Sequence, residues 1–255
     1  MPKVLEESPV LLQQALDERT YLLRLKAAQI ARQVKPGQFV HIKQIGDGTS
    51  LLRHPFGVAR ADKTQGTVDI IYRVVGEFTR TLCTLTSADC LSLLGPLGRG
   101  FDLSVGGKAL LVGGGTGLAP LLFLASHLGP DKTDVLMGGR TKDELFWQAL
   151  YRPFVHHMFM TTDDGSLGTP GTVMALLPSL LCKGYERVYV CGPSPMMQAA
   201  AHACETHHIE CQVSLERYMA CGLGACLSCT CKGREKRLKV CTDGPVFWSK
   251  EVSAW

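Results

Sequence analysis

Four cysteines near the end of the chain have the spacing of a metal centre. Cys221, Cys226 and Cys229 follow a C-x4-C-x2-C pattern, and Cys241 comes after eleven intervening residues. This is the plant-type spacing of [2Fe–2S] ligands, in which four thiolates hold two irons, two on each iron. The spacing therefore predicts an iron–sulfur cluster in this segment.

A structural zinc site is the alternative interpretation of the same cysteines. Zinc ligands usually come as C-x2-C pairs, and here only Cys226 and Cys229 have that spacing. Gly222 and Gly224 can adopt a positive φ, which lets backbone N–H groups approach sulfur. Cys231 is a fifth thiol that could compete as a ligand, although the pattern leaves it unused. The sequence favours iron–sulfur over zinc.

A glycine-rich turn between a predicted strand and a predicted helix has the character of a phosphate cradle. Its residues are Gly113, Gly114, Gly115, Thr116 and Gly117. Glycines let the main chain come close to a ligand, and a helix N-terminus offers N–H groups to a pyrophosphate. The turn lacks the regular G-x-G-x-x-G spacing, and the ribose-binding acid of such sites is missing, since the next predicted strand ends in Gly138-Gly139-Arg140. A tight turn without a ligand remains the alternative.

A second predicted turn from strand to helix holds Cys191, Gly192 and Pro193. Such turns lie at the carboxyl edge of a parallel sheet, where open α/β folds bind ligands. As an isolated tripeptide, this motif is weak.

These motifs require three different kinds of supporting structure. With 255 residues, the chain has room for about two domains. Residues 1–103 show short strands between turns, which predicts an antiparallel β-barrel. Residues 104–210 alternate strands with helices, which predicts an α/β domain with a parallel sheet. Residues 211–255 are too few for a core of their own and would depend on the cluster for stability.

Composition and charge exclude several classes of protein. Hydrophobic residues make up 45% and charged residues 20%, which is ordinary for a globular chain. A net charge of +4, from 27 basic and 23 acidic residues, is too balanced to indicate nucleic-acid binding. No apolar run approaches the roughly 18 residues of a membrane span. The N-terminal residues do not resemble a signal peptide, so a cytoplasmic protein is expected.

Several segments occur in one characteristic order: RHPF at 53–56, GPLGRGF at 95–101, GGGTGLAPL at 113–121, VYVCGP at 188–193 and CGLGACLSC at 221–229. This order resembles the ferredoxin–NADP reductase superfamily, in which a flavin barrel precedes a nicotinamide domain. The cysteine segment, with the preceding Ser214-Leu215-Glu216 and the following Asp243-Gly244-Pro245, narrows the resemblance. It is similar to the electron-transfer subunits of class 1B dihydroorotate dehydrogenases.

The resemblance implies a set of FAD-binding positions: Arg53, His54, Pro55, Phe56, Gly57, Ile71, Tyr72, Arg73, Phe78 and Thr79. At 54–57 the family has Arg-Pro-Ile-Ser, so His54 and Gly57 depart from its pattern. Phe78 stands where the family has glycine. Altered flavin contacts are therefore expected, with Arg53 as the substitute phosphate ligand.

The resemblance also implies an activity. FAD, NAD and a [2Fe–2S] cluster held by Cys221, Cys226, Cys229 and Cys241 would carry electrons from an FMN-containing catalytic subunit to NAD+. That partner would oxidise dihydroorotate in pyrimidine biosynthesis, within a heterotetramer. Cys191 matches the cysteine that lies near the nicotinamide and the flavin, so a catalytic role is expected for it.

Two other functions compete with this hypothesis. The chain could be the reductase subunit of another NAD(P)H-linked complex, of the ferredoxin oxidoreductase, hydrogenase or sulfide dehydrogenase type. Arg140 and the missing ribose-binding acid leave NADP open as the cofactor. The departures at His54, Gly57 and Phe78 would also suit a zinc-stabilised regulatory module without flavin.

Overall fold

The first part of the chain forms an antiparallel sheet that rolls into a barrel. A computed structural model describes residues 2–46 and 50–253. The strands are β1 (Val4–Ala15), β2 (Thr20–Lys26), β3 (Phe39–Gln44), β4 (His54–Gly57), β5 (Arg60–Asp62), β6 (Thr67–Arg73) and β7 (Cys90–Leu97). Their order in the sheet is β4-β3-β7-β1-β2-β6-β5, and every described pairing is antiparallel. Two short helices, α1 (Ala28–Ala31) and α2 (Glu77–Leu82), accompany these strands.

The barrel interior follows from alternating apolar residues. Val40 and Ile42 of β3 and Leu23 and Leu25 of β2 are fully buried in one core cluster. Rolling of the sheet brings β4 near β6, where the Phe56 and Tyr72 rings meet edge to face at 6.0 Å. The predicted barrel is confirmed.

The second part of the chain forms a mainly parallel sheet. Its strands are β8 (Ala109–Gly114), β9 (Thr133–Gly139), β10 (Met158–Thr162), β11 (Thr169–Pro170), β12 (Arg187–Cys191), β13 (Glu210–Ser214) and, later in the chain, β16 (Val246–Trp248). The order is β11-β10-β9-β8-β12-β13-β16, with only β16 antiparallel to its neighbour. The helices are α3 (Leu118–Leu128), α4 (Trp147–Tyr151), α5 (Leu177–Leu181) and α6 (Ser194–Thr206). The predicted α/β architecture is confirmed.

Three neighbouring strands of this sheet end side by side. In the register of the sheet, Cys191 at the end of β12 pairs with Gly113 of β8 and with Ser214 at the end of β13. The glycine-rich turn therefore follows β8 directly beside the turn that follows Cys191. This edge of the sheet faces the barrel.

The cysteine segment is integrated into the second sheet. A basic hairpin, β14 (Thr230–Lys232) and β15 (Arg237–Lys239), projects from it. The predicted boundary at 210/211 falls within β13, because β13 and β16 both extend the sheet. Cys229 and Cys241 are buried in the same core cluster as Val190 of β12. The segment shares the hydrophobic core of the α/β part and needs no separate one.

No helix within residues 2–46 and 50–253 is long and apolar enough to cross a membrane.

Candidate functional site

One cavity lies where the barrel, the sheet edge and the cysteine segment meet. Its volume is about 910 Å³, which is within the range of small-molecule and cofactor sites. Of the predicted site residues, it brings together Arg53, His54, Pro55, Phe56, Gly57, Ile71, Tyr72, Arg73, Thr79, Thr116 and Cys191. Parts of the chain that are more than 150 residues apart in sequence thus line one space.

His54 and Phe78 form a stacked pair in the barrel wall. Their ring centroids are 3.9 Å apart and the ring planes differ by 16°. Nε2 of His54 is 3.0 Å from the Ser50 hydroxyl, and burial lowers the pKa of this imidazole. Phe78 is buried and does not line the cavity, whereas the His54 ring that stacks on it does. Two of the three departures from the family pattern, His54 and Phe78, therefore contact each other.

Arginine and tyrosine side chains in the wall are oriented by hydrogen bonds. Arg53 donates two bonds of 2.9 Å to the carbonyl and hydroxyl oxygens of Ser92. The Tyr72 hydroxyl accepts a 2.7 Å bond from Nε2 of Gln13. Burial lowers the pKa of Arg53 and raises that of Tyr72. Hydrogen bonds to β7 thus hold Arg53 at the cavity wall. The remaining N–H donors of its guanidinium are available to a ligand.

The glycine-rich turn is shaped by close contact with the turn after β12. A Cβ at Gly117 would collide with the backbone of Cys191 and Gly192. Gly115 has a φ of 57°, and no described atom lies within 4 Å of its Cβ position. The main chain of Gly115 is therefore open to a ligand, as a phosphate cradle requires. This geometry fits a bound dinucleotide.

Cys191 lies in the wall of the cavity with only 1% of its surface exposed. Burial, with a smaller contribution from Glu216, raises the pKa of its thiol far above the ordinary value. The thiol is therefore neutral at physiological pH. It presents a compact, uncharged surface rather than a nucleophile.

Sequence reasoning missed part of the cavity wall. The segment after β13 contributes Leu215, Glu216, Arg217, Tyr218, Met219 and Ala220, and Ser228 follows from the cysteine loop. The available signal was the position of 215–220 directly after a strand of the parallel sheet. The predicted FAD- and NAD-binding residues that do not line the cavity are Phe78, Gly113, Gly114, Gly115, Gly117, Gly192 and Pro193, and the four predicted cluster ligands, Cys221, Cys226, Cys229 and Cys241, also lie outside its lining.

The four predicted cluster ligands fall into two environments. Cys221 and Cys226 lie in the surface loop, and N–H of Cys226 donates to Sγ of Cys221 at 3.4 Å. Cys229 and Cys241 are buried, and N–H of Cys241 donates to Sγ of Cys229 at 3.4 Å. Hydrogen bonds from Ser228 and from the loop lower the pKa of Cys226 to about 6, which favours the thiolate that binds metal.

The loop has the backbone conformation that the sequence predicts. Gly222 and Gly224 have φ values of 67° and 81°. N–H of Leu223 donates to Sγ of Cys221 at 3.3 Å. Backbone donors thus do approach sulfur, because the glycines allow the turn.

The sulfur positions suit two metal ions better than one. Four thiolates around one zinc ion, at Zn–S distances near 2.3 Å, would lie about 3.8 Å from one another. Among the described cysteines, no three Sγ atoms lie within 4.8 Å of one another. Pairing of Cys221 with Cys226 and of Cys229 with Cys241 supplies two thiolates to each of two irons. The donor set therefore fits a [2Fe–2S] cluster.

Solved structures share this arrangement of barrel and sheet. The NADH-dependent reduced ferredoxin–NADP oxidoreductase, described in work on flavin-based electron bifurcation, matches with a TM-score of 0.85 and 27% identity. The match covers 97% of this chain and 90% of that one. A ferredoxin NADP+ reductase from Neisseria gonorrhoeae, with bound FAD and NADP, has a TM-score of 0.63 at 17% identity, over 80% of this chain and 91% of that one. Fold and site define a ferredoxin reductase-like protein with an added iron–sulfur segment.

Sequence relatives give the family. Residues 216–253 match the model of the iron–sulfur cluster binding domain of dihydroorotate dehydrogenase B. The electron transfer subunit of dihydroorotate dehydrogenase B (NAD(+)) from Geobacillus thermodenitrificans is 40% identical, over 97% of this chain and 98% of its own length. That from Fusobacterium nucleatum is 38% identical, over 91% and 92%. The chain belongs to this family of electron transfer subunits, as its motifs predicted.

Proposed function

We propose that this chain is the electron-transfer subunit of an NAD-linked dihydroorotate dehydrogenase. It would accept electrons from an FMN-containing partner that oxidises dihydroorotate, and deliver them to NAD+. The observation that carries this proposal is the shared cavity. Ala220 and Ser228, which flank the cluster ligands Cys221 and Cys229, line the same space as the barrel and the glycine-rich edge of the sheet.

Each part of the chain has its own binding task in this proposal. The barrel residues Arg53–Gly57, Ile71–Arg73 and Thr79, with Phe78 behind them, would hold FAD. The turns Gly113–Gly117 and Gly192–Pro193 would hold NAD, and the four paired cysteines would hold the cluster. When bound, these groups exchange electrons in pairs at the nicotinamide and singly at the iron–sulfur centre, with the flavin able to do both.

The protein supplies orientation and an enclosed surface. Cys191, neutral and almost fully buried at the cavity wall, would position the nicotinamide ring without reacting with it. His54 and Phe78 would replace the family's Arg and Gly by a stacked aromatic support. Arg53 then carries the positive charge toward a pyrophosphate.

The partner would contribute the chemistry on dihydroorotate. We propose a heterotetramer with two copies of each subunit, acting in the cytoplasm in pyrimidine biosynthesis. All eleven cysteines lie within the described residues and are free, as suits a reducing compartment. The overall reaction converts dihydroorotate and NAD+ into orotate, NADH and a proton.

An absorption spectrum of the anaerobically purified chain tests the electron relay. A flavin band and a broad cluster absorption should both bleach when NADH is added. A spectrum without flavin, or one that NADH leaves unchanged, would contradict the proposal. Zinc in place of iron would favour the regulatory alternative.

A reconstitution tests the substrate. With the catalytic partner added, each dihydroorotate oxidised should yield one NADH. The partner without this chain serves as the control and should yield none. If NADH forms only with reduced ferredoxin as the donor, the proposed partner is wrong.

A reductase subunit of a ferredoxin-linked complex is the second candidate. The match to the NADH-dependent reduced ferredoxin–NADP oxidoreductase structure, over 97% of this chain, favours it specifically. The same reconstitution, with dihydroorotate and ferredoxin compared side by side, separates the two candidates.

A further inference from the structure

His41 is a buried histidine that the family's cofactor motifs leave unassigned. It lies in β3, between Val40 and Ile42, whose side chains fill the barrel core. Because neighbouring residues of a strand point to opposite faces, His41 points out of the barrel. On that side lies the cysteine segment. The exposed fraction of His41 is 0%.

The ring of His41 lies directly against the cluster loop. A Cβ on Gly222 would be 2.8 Å from Cε1, 3.0 Å from Nε2 and 3.1 Å from Nδ1 of His41. The three distances are nearly equal, which places Gly222 over the face of the ring at its Cε1 end, beside both nitrogens. Gly222 is the residue next to the predicted ligand Cys221.

Both ring nitrogens of His41 are buried without a hydrogen-bond partner among the described residues. Burial, with smaller contributions from the nearby Arg53 and His54, lowers the pKa of His41 to about 4. A neutral imidazole carries one N–H donor. A buried donor left unpaired costs about 1–3 kcal/mol, so the fold maintains this histidine at a cost that a partner would offset.

We propose that His41 is a positioning residue for the iron–sulfur centre, donating a hydrogen bond from its ring N–H to a sulfur of the group held by the Cys221 loop. Hydrogen bonds to sulfur stabilise the more negative, reduced state and so raise the reduction potential. This inference rests on the proposed function, because it requires the cluster. It assigns to the barrel a direct influence on the neighbouring redox group.

Two variants of His41 separate hydrogen bonding from packing. His41→Gln keeps an N–H donor, whereas His41→Leu fills the space without one. In an anaerobic redox titration followed by EPR, His41→Leu should shift the reduction equilibrium of the cluster about tenfold toward the oxidised state. For one electron this equals about 59 mV. His41→Gln should retain most of the wild-type potential.

Leu94→Ala is the matched control. Leu94 of β7 is the register partner of His41 and packs against the same core cluster as Cys229 and Cys241. It has no polar side-chain atom, so its truncation loosens packing without removing a donor. The reduction potential of the cluster in Leu94→Ala should match that of the wild-type protein.

A measurement on the unmutated chain covers the case in which His41→Leu loses its iron. Pulsed EPR of the reduced protein carrying 15N-labelled histidine should show coupling of one histidine nitrogen to the cluster, and the labelled His41→Gln variant should lack it. Absence of this coupling in the wild type, or unchanged potentials in both fully loaded variants, would overturn the inference. A wild-type chain with no [2Fe–2S] signal would instead refute the proposed function.

Discussion

At the residue scale, the spacing of the cysteines separates the four predicted cluster ligands from a fifth thiol nearby, Cys231. Cys231 lies only two positions after Cys229 and is also buried, but it belongs to β14, where it pairs with Leu238 of the basic hairpin. Sγ of Cys229, by contrast, accepts a hydrogen bond from the backbone N–H of Cys241. Cys231 thus belongs to the paired hairpin strand, and the C-x4-C-x2-C spacing leaves it outside the predicted ligand set.

Replacing one thiol at a time tests this division. Cys229→Ser should lose most of the bound iron, because one iron would lose one of its two protein thiolates. Cys231→Ser should keep close to two irons per chain, since it only exchanges a buried thiol for a hydroxyl. Iron content and the visible spectrum measure both. Equal iron loss in the two variants would show that Cys231 is a ligand.

The thiol of Cys191 is expected to resist alkylation. Because burial raises its pKa, the thiolate does not form as the pH rises from 7 to 9. An ordinary thiol, with a pKa near 8.5, would gain roughly 25-fold in thiolate over this interval. Mass spectrometry after iodoacetamide treatment should find Cys191 unmodified and the exposed Cys182 modified. Rapid modification of Cys191 at pH 9 would contradict its burial and neutral state.

His54 and Phe78 illustrate a limit of comparing single positions with a family pattern. Each is a departure when considered alone, and the sequence suggested that flavin binding is altered. In the structure the two rings stack at 3.9 Å. The bulky ring at position 78 therefore packs against the flat ring at position 54, and the two departures form one contact.

At the scale of elements, the turns that follow β8 and β12 can form only together, because their backbones are in contact. β8 and β12 are neighbours in the parallel sheet, so the turns that follow them meet at one edge. Gly117 allows this contact because it has no Cβ. Gly115, in the same turn, faces open space and has a positive φ.

Alanine at these two glycines should have different consequences. Gly117→Ala should lower the free energy of unfolding by about 2 kcal/mol, because the new methyl group collides with backbone. Gly115→Ala should cost about 1 kcal/mol for its left-handed φ and raise the KM for NADH, since its methyl would occupy the proposed phosphate cradle. Urea unfolding and steady-state kinetics separate the effects. Equal stability losses with an unchanged KM would contradict both assignments.

At the scale of the whole molecule, Arg187 joins the parts of the chain. It is 6% exposed, and it lies 2.8 Å from Glu210 of β13 and 3.6 Å from the Asp102 carboxylate at the end of the barrel part. Its guanidinium also lies 4.9 Å from the centre of the Trp248 ring in β16. Barrel, sheet and cysteine segment are thus connected through one side chain.

Removing this connection should destabilise the whole molecule. Arg187→Ala should lower the free energy of unfolding by about 2 kcal/mol, because it removes a buried side chain that packs on Trp248 and pairs with Glu210. Arg140→Ala is the control, since the exposed Arg140–Glu144 pair should contribute at most about 1 kcal/mol. Urea titrations followed by circular dichroism measure both. Similar losses in the two variants would show that Arg187 does not hold the parts together.

The sequence by itself determined the order of barrel and parallel sheet and the family, and it predicted the four cluster ligands. These features are local: the cysteine spacing, the turn glycines and the alternation of strands with helices are each contained in a short segment. The family and the fold class are confirmed, while the individual roles of the site residues stay predictions.

Only the tertiary structure decided which distant residues share a surface. The cavity residues 215–220, the stacking of His54 on Phe78 and the contact of His41 with Gly222 all join segments that no local pattern relates. The same holds for the cysteine segment, whose strand β16 completes the second sheet. Such contacts depend on strand order and on the packing of the barrel against the sheet. Packing between distant segments leaves no periodic signal in a single sequence, and this is why they could not be predicted.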